Sequence, residues 1–217
     1  IGRCCVEQLC QGGARVIIGC RNTKQGDQVI AECQRKQYPG SVEVFELDLQ
    51  YFSSVRTFVE RIKTLNRTID VLVNNAGVGA YLRRPGRIVN VSSMQYQMGS
   101  NRRLCKNQQC SIHTPLFGSF VYGDAKLALN YWTRTLAHKL RSTSITVHSC
   151  HPGFVKTDIF FGHYGNLMHF TLRWLTHIFA KSPSEGAQTT LHLVLSSEAG
   201  HLSGMTQNTM QRHFAIQ

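Results

Sequence analysis

Short apolar runs alternate with amphipathic stretches along most of this chain. Ala14 to Cys20 is one such run, as expected of a strand covered on both faces. Ser41 to Leu47 alternates apolar and polar positions and closes on Asp48. Asp70 to Asn74, Arg87 to Val91 and Ile145 to His151 supply three more strand-like segments. Between them the apolar positions recur at helical spacing. Residues 2 to 12 place Val6, Leu9 and Cys10 on one face, and Gly12-Gly13 stops the helix. Lys24 to Tyr38 reads as a polar helix ended by Pro39-Gly40. Tyr51 to Asn66 turns Val55, Phe58, Val59 and Ile62 inward. Phe120 to Leu140 predicts a long helix and Ser184 to Leu195 another. Strands alternating with helices predict an α/β fold, a parallel sheet with helices on both faces. Ligands of such sheets sit beyond the carboxyl ends of the strands.

The 217 residues suffice for one core and one domain spanning residues 1–217. With 42% hydrophobic and 17% charged residues the chain is globular, without repeats or low-complexity tracts. The net charge of +12 suits nucleic acid, an anionic membrane or a phosphorylated cofactor. No nucleic-acid motif accompanies it and the basic residues are scattered, so no nucleic-acid partner is expected. Eight Cys without a Cys-x-x-Cys pair predict reduced, packing cysteines in a reducing intracellular compartment. Ten His without metal-ligand spacing predict no metal site. Asn66-Arg67-Thr68 matches a glycosylation sequon, read as coincidence in that compartment. No run approaches the ~20 apolar residues of a membrane span. Leu167 to Ala180 is apolar and aromatic, and three readings stay open for it: a membrane-surface helix, a pocket cover, or a buried helix. Ile1 is not Met, so an upstream segment is expected, and with it an anchor to endoplasmic reticulum or mitochondrial membrane.

Tyr122-Gly123-Asp124-Ala125-Lys126 carries the candidate chemistry. Residues four apart share a helix face, which brings the Lys ammonium near the Tyr hydroxyl. A neighbouring cation favours the phenolate and lowers a pKa that is ordinarily near ~10. Such a pair can move a proton on or off an alcohol oxygen. Three apolar runs end in polar motifs around it: Asn74-Asn75-Ala76-Gly77, Ser92-Ser93, and His151-Pro152-Gly153 with Thr157 beyond. Taken together, these motifs resemble the short-chain dehydrogenase/reductase family. Ala14 to Asn22 and Ser184 to Thr189 are similar to its retinol dehydrogenase-like branch.

The resemblance implies a Rossmann-like doubly wound parallel sheet. It also implies hydride transfer between a nicotinamide cofactor and a small lipophilic, retinoid-like alcohol or its carbonyl. Tyr122 would be the acid/base. Lys126 would lower its pKa and reach the nicotinamide ribose. Ser93, the second of its pair, would hydrogen-bond the substrate oxygen. Arg21 stands where an acid would select NAD. An Arg there pairs with a 2′-phosphate, which favours NADP with NAD as the alternative. Asp48 and Leu49 would meet the adenine, and Asn75, Ala76 and Gly77 the adenosine side. Pro152, Gly153, Val155 and Thr157 would border the nicotinamide. Family members pair through the long helix, so a homodimer is a further expectation, as is peripheral membrane contact.

Three departures accompany the matches. The family's first strand and glycine-rich turn are reduced to Ile1-Gly2, so the sheet is expected to be incomplete, without its central strand and most of the amide cradle for a pyrophosphate. Val78 to Gly86 is nine residues, too short for the helical crossover of about a dozen or more that joins parallel strands. The helix lost there carries the family's relay Asn, which no residue here matches. Met205 to Gln217 departs from the branch. Marginal stability and weak cofactor binding are therefore expected, and the alternative reading is an inactive fragment or splice form, at most a protein-binding relative.

Overall fold

The computed structural model describes residues 1–75, 86–102, 115–156, 180–200, 203–204 and 206–208. The connection 76–85, the stretch 157–179 and the ending 209–217 lie outside the described residues, and with them the expectations placed on Ala76, Gly77, Thr157 and most of the 167–180 segment. The elements in order are α1 (Gly2–Gln11), β1 (Arg15–Cys20), α2 (Thr23–Arg35), β2 (Ser41–Glu46), α3 (Phe52–Thr64), β3 (Val71–Asn74), β4 (Gly86–Val91), a 3-10 helix (Met94–Met98), α4 (Pro115–Lys139), β5 (Ile145–His151), α5 (Pro183–Leu195), a 3-10 turn (Glu198–Gly200) and β6 (Thr206–Asn208). All described strand pairs are parallel, giving an α/β fold.

The sheet is divided. β1 pairs only with β2, and β3, β4, β5 and β6 follow one another in a second sheet. No described strand lies between β1 and β3, and among the described residues the facing edge of each is unpaired. Helices hold the pieces together instead. α1 and α5 pack through Cys5, Ala187 and Leu191, with Ile1, Cys4 and Leu9 against them. The other face of α1 adds Val6 and Cys10 to a cluster with Val29 and Cys33 of α2. Arg3 and Lys36 each pair with both Glu7 and Glu32 across α1 and α2.

Burial follows the division. Val89, Val147, Cys150 and Leu193 are wholly buried in the four-stranded part, whereas no residue of β1 or β2 is. α3 buries none of its residues, although Phe58 meets Phe45 edge to face. The inward positions expected of α3 are half-buried because it covers a two-stranded sheet. α5 starts at Pro183, one residue before the expected Ser184, because Ser182 and Glu185 form a reciprocal capping box. β6 arises where no strand was expected: Gln207 pairs with Cys150, and a polar three-residue strand has no readable periodicity. The described cysteines are free thiols.

His148 on β5 is 1% exposed. Its Nε2 bonds to the Ala199 carbonyl at 2.9 Å, and its Nδ1 has no partner. Burial lowers its pKa below 6.5, and that of His151 likewise. Both are neutral and fully compatible with the fold above pH 6.5. As pH falls below that value the unfolded chain takes up the protons first, so stability is lost until the folded pKa values are passed. The melting temperature should drop between about pH 7.5 and 5.5, and His148→Leu should flatten that slope. A slope unchanged by the substitution would remove His148 from the acid response.

Candidate active site

β4 delivers Ser92 and Ser93 at its carboxyl end, and the chain turns at once into the 3-10 helix. Ser93 caps that turn, its Oγ accepting from Gln95 N at 3.3 Å. The turn lies directly on α4. A Cβ on Gly123 would stand 2.6 Å from the Gln95 carbonyl oxygen, so only glycine allows this approach without a shift. Ser100 N donates to Asp124 Oδ1 at 2.7 Å and fastens the following segment to the same helix. The docking brings Tyr122 into hydrogen-bond contact with Ser93. Lys126, one turn on, donates from Nζ to the Val91 carbonyl at 2.8 Å and lies 5.5 Å from the centroid of the Tyr122 ring.

The electrostatics differ from the sequence expectation. Burial pushes Tyr122 above its ordinary value, against the opposing pull of the Ser93 bond. Burial also pushes Lys126 down, while Cys150 raises it. Desolvation sets both directions because the residues sit under the 3-10 helix, where a charge loses water. Tyr122 thus holds its proton at neutral pH and is placed to give it to an oxygen.

A buried polar ladder fixes the helix to the sheet. Asn74 Nδ2 donates to Asn90 Oδ1 at 2.7 Å, Asn90 Nδ2 to Thr133 Oγ1 at 2.9 Å, and Thr133 Oγ1 to the Leu129 carbonyl at 2.8 Å. It sets the register of α4 over β3 and β4, and so where Tyr122 stands. Sequence reasoning passed over Gly123, Asp124, Asn90 and Thr133. The one available signal was Asn90, a polar residue inside an apolar strand run.

The remaining candidates lie at the carboxyl ends of the strands. Asn75 follows β3 beside Gly2, where an added Cβ would come within 3.0 Å of its Nδ2. Arg21 is exposed after β1. Asp48 Oδ1 accepts from Gln50 N, and Asp48 N donates to Ser54 Oγ, both at 2.9 Å. Asp48 borders a cleft of about 440 Å³ with Glu46, Tyr51, Ser53, Ser54 and Thr57, and Leu49 is half-buried beside it. Pro152 is buried, and Gly153 has φ 86° and donates from N to His151 Nδ1. The Val155 side chain is spent on packing: it is 4% exposed, against Gly186 of α5.

These positions fit a nicotinamide dinucleotide. α1 begins with no side-chain cap and no acid in its first turn, beside bare backbone at Gly2. Its free amides suit a phosphate group. Among the described residues no group of three His, Cys, Asp or Glu could hold a metal ion, and no helix is long and apolar enough to cross a membrane.

The profile of the family described as short chain dehydrogenase, an NAD(P)-dependent oxidoreductase family, matches residues 1–84 and 110–162. Retinol dehydrogenase 12 of Mus musculus is 32% identical, over 94% of this chain and 72% of its own length. Retinol dehydrogenase 11 of Homo sapiens is 31% identical over the same shares. A short-chain dehydrogenase/reductase mutant of Serratia marcescens has the same fold, with TM-score 0.71 and 22% identity over 95% of this chain and 90% of that one. A Burkholderia cenocepacia short chain dehydrogenase solved in complex with NADP also aligns, with TM-score 0.69 and 21% identity over the same shares.

Proposed function

We propose, from the premise that this chain belongs to the short-chain dehydrogenase family, that it interconverts a lipophilic, retinoid-like alcohol and its carbonyl with NADP. The observation that carries the reading is the meeting of Ser93, Tyr122 and Lys126 at the carboxyl end of β4. A nicotinamide cofactor, when bound, would supply or accept the hydride. Tyr122 gives its hydroxyl proton to the substrate oxygen in reduction and takes it back in oxidation. Ser93 hydrogen-bonds the same oxygen and holds it against Tyr122. Lys126, fixed to the Val91 carbonyl, keeps ammonium protons free for ribose hydroxyls. Pro152 and Gly153 would line the nicotinamide half, and Arg21, Asp48, Leu49 and Asn75 the adenosine half. The retinoid class rests on the named activity of the relatives.

Arg21 supports the cofactor choice, since a guanidinium pairs with a 2′-phosphate in bidentate fashion. Charge-assisted bonds of this kind are worth about 1.5–3 kcal/mol, about tenfold or more in affinity. Titration with both cofactors should favour NADPH over NADH, and Arg21→Asp should cancel or invert the preference. Equal affinities in the parent chain would sink the NADP assignment. A second reading, a relative that binds a partner protein without turnover, draws on the divided sheet. Saturable NADPH binding followed by retinal reduction separates the two.

A further inference from the structure

Away from the catalytic end, a cavity lies at the opposite, amino end of the strands. Its volume is about 700 Å³, and its walls come from the last turns of α4, the turn into β5, and Gly200, Ser203 and Gly204. From Tyr122 it is about 24 Å along α4 to His138, taking 1.5 Å per residue.

Arg134, His138 and Arg141 follow one another at helical spacing along one wall. Among the described residues no Asp or Glu lines the cavity. Neither arginine pairs with a carboxylate among the described residues, although Arg3, Lys36, Lys63 and Arg67 all do elsewhere. Arg141 Nη1 donates to His138 Nε2 at 2.7 Å, so the ring accepts there and braces the guanidinium. Ser144, Thr146 and Ser203 line the cavity as well. Ser203 Oγ accepts from Val147 N at 3.0 Å, which leaves its proton free to donate outward. Behind Gly200 stands another cation, Arg87, whose guanidinium caps α5 by donating to the Leu193 and Val194 carbonyls. Basic residues near a helix C-terminus are favourable by themselves. A concavity lined by cations and hydroxyls, with no carboxylate among its described residues, has a further use.

We propose that this cavity binds a phosphate-bearing anion, held by Arg134 and Arg141 and by the hydroxyls of Ser144 and Ser203. Two sources share that chemistry, a soluble phosphorylated metabolite and a phosphorylated lipid headgroup. Anion steering by the net charge of +12 assists either.

Calorimetric titration with pyrophosphate tests the site, beside flotation with phosphatidylcholine vesicles with and without a phosphoinositide. Arg141→Gln should weaken binding about tenfold, the loss of one charge-assisted contact. Ser144→Glu puts a carboxylate at an exposed position of the wall and should weaken it at least as much. Arg56→Gln, on the exposed surface of α3, should leave it unchanged, whereas a response to Arg21→Asp alone would report binding at the cofactor end. Melting curves of all variants should overlay that of the parent. Pyrophosphate binding without flotation assigns a soluble ligand, and phosphoinositide-dependent flotation with the same variant pattern assigns a lipid. Absence of both, equal affinity in every variant, or a loss confined to Arg21→Asp overturns the proposal.

Discussion

Replacing Tyr122 by Phe should lower turnover of retinal by about 10²–10⁴-fold, the usual worth of a positioned acid/base. The ring remains, and Gly123 still allows the close approach of the 3-10 helix. The fold therefore loses only the hydroxyl's bond with Ser93, a net effect of about 0.5–1.5 kcal/mol. NADPH affinity and melting temperature should stay near those of the parent while kcat collapses. The pH profile sharpens the test. Because burial raises the Tyr122 pKa, the phenol stays protonated through neutral pH and reduction should hold a plateau there. Oxidation needs the phenolate and should climb as the solution becomes alkaline. Steady-state rates in both directions check this, and turnover unchanged in Tyr122→Phe would remove the acid/base role.

Leu193→Ala should be the most damaging core substitution, costing about 2–5 kcal/mol. Leu193 is fully buried in a cluster with Val89, Val91, Cys150 and Ala199, the interior of the four-stranded sheet. Its backbone carbonyl also accepts from Arg87 Nη1, a bond the substitution leaves in place. The loss is thus a cavity effect, against a total stability that for ordinary domains is only about 5–15 kcal/mol. Denaturant unfolding followed by Trp132 fluorescence would measure it. A change below about 1 kcal/mol would mean that the core around β4 and β5 relaxes into the space.

Both predictions concern residues whose neighbourhoods were legible to different degrees. The strands and helices were readable because each turns an apolar face inward with its own period. Ile145–His151 was placed to the residue, and the motifs after β3, β4 and β5 were placed at one end of the sheet. What escaped depends on contacts between elements far apart in sequence. The ladder from Asn74 through Asn90 to Thr133 joins three elements, and no local pattern announces it. The Gly123 contact with Gln95 needs the 3-10 helix, which has no periodicity to read. The direction of the Tyr122 pKa was misjudged because spacing reports the nearby cation but not the lost water. β6 was missed because three polar residues pair with β5 through backbone alone.

Two parallel sheets have four edges where one has two. Among the described residues the inner edges of β1 and β3 leave N–H and C=O groups unpaired, and such rows are templates for pairing between chains. Colloidal behaviour follows from that geometry. Dilute protein keeps its edges in water, whereas crowded protein can satisfy them only by joining neighbouring molecules. The surplus positive charge opposes that encounter through mutual repulsion, and salt screens the repulsion within about 10 Å at 0.1 M. Raising the ionic strength should therefore shorten the time this protein stays dispersed.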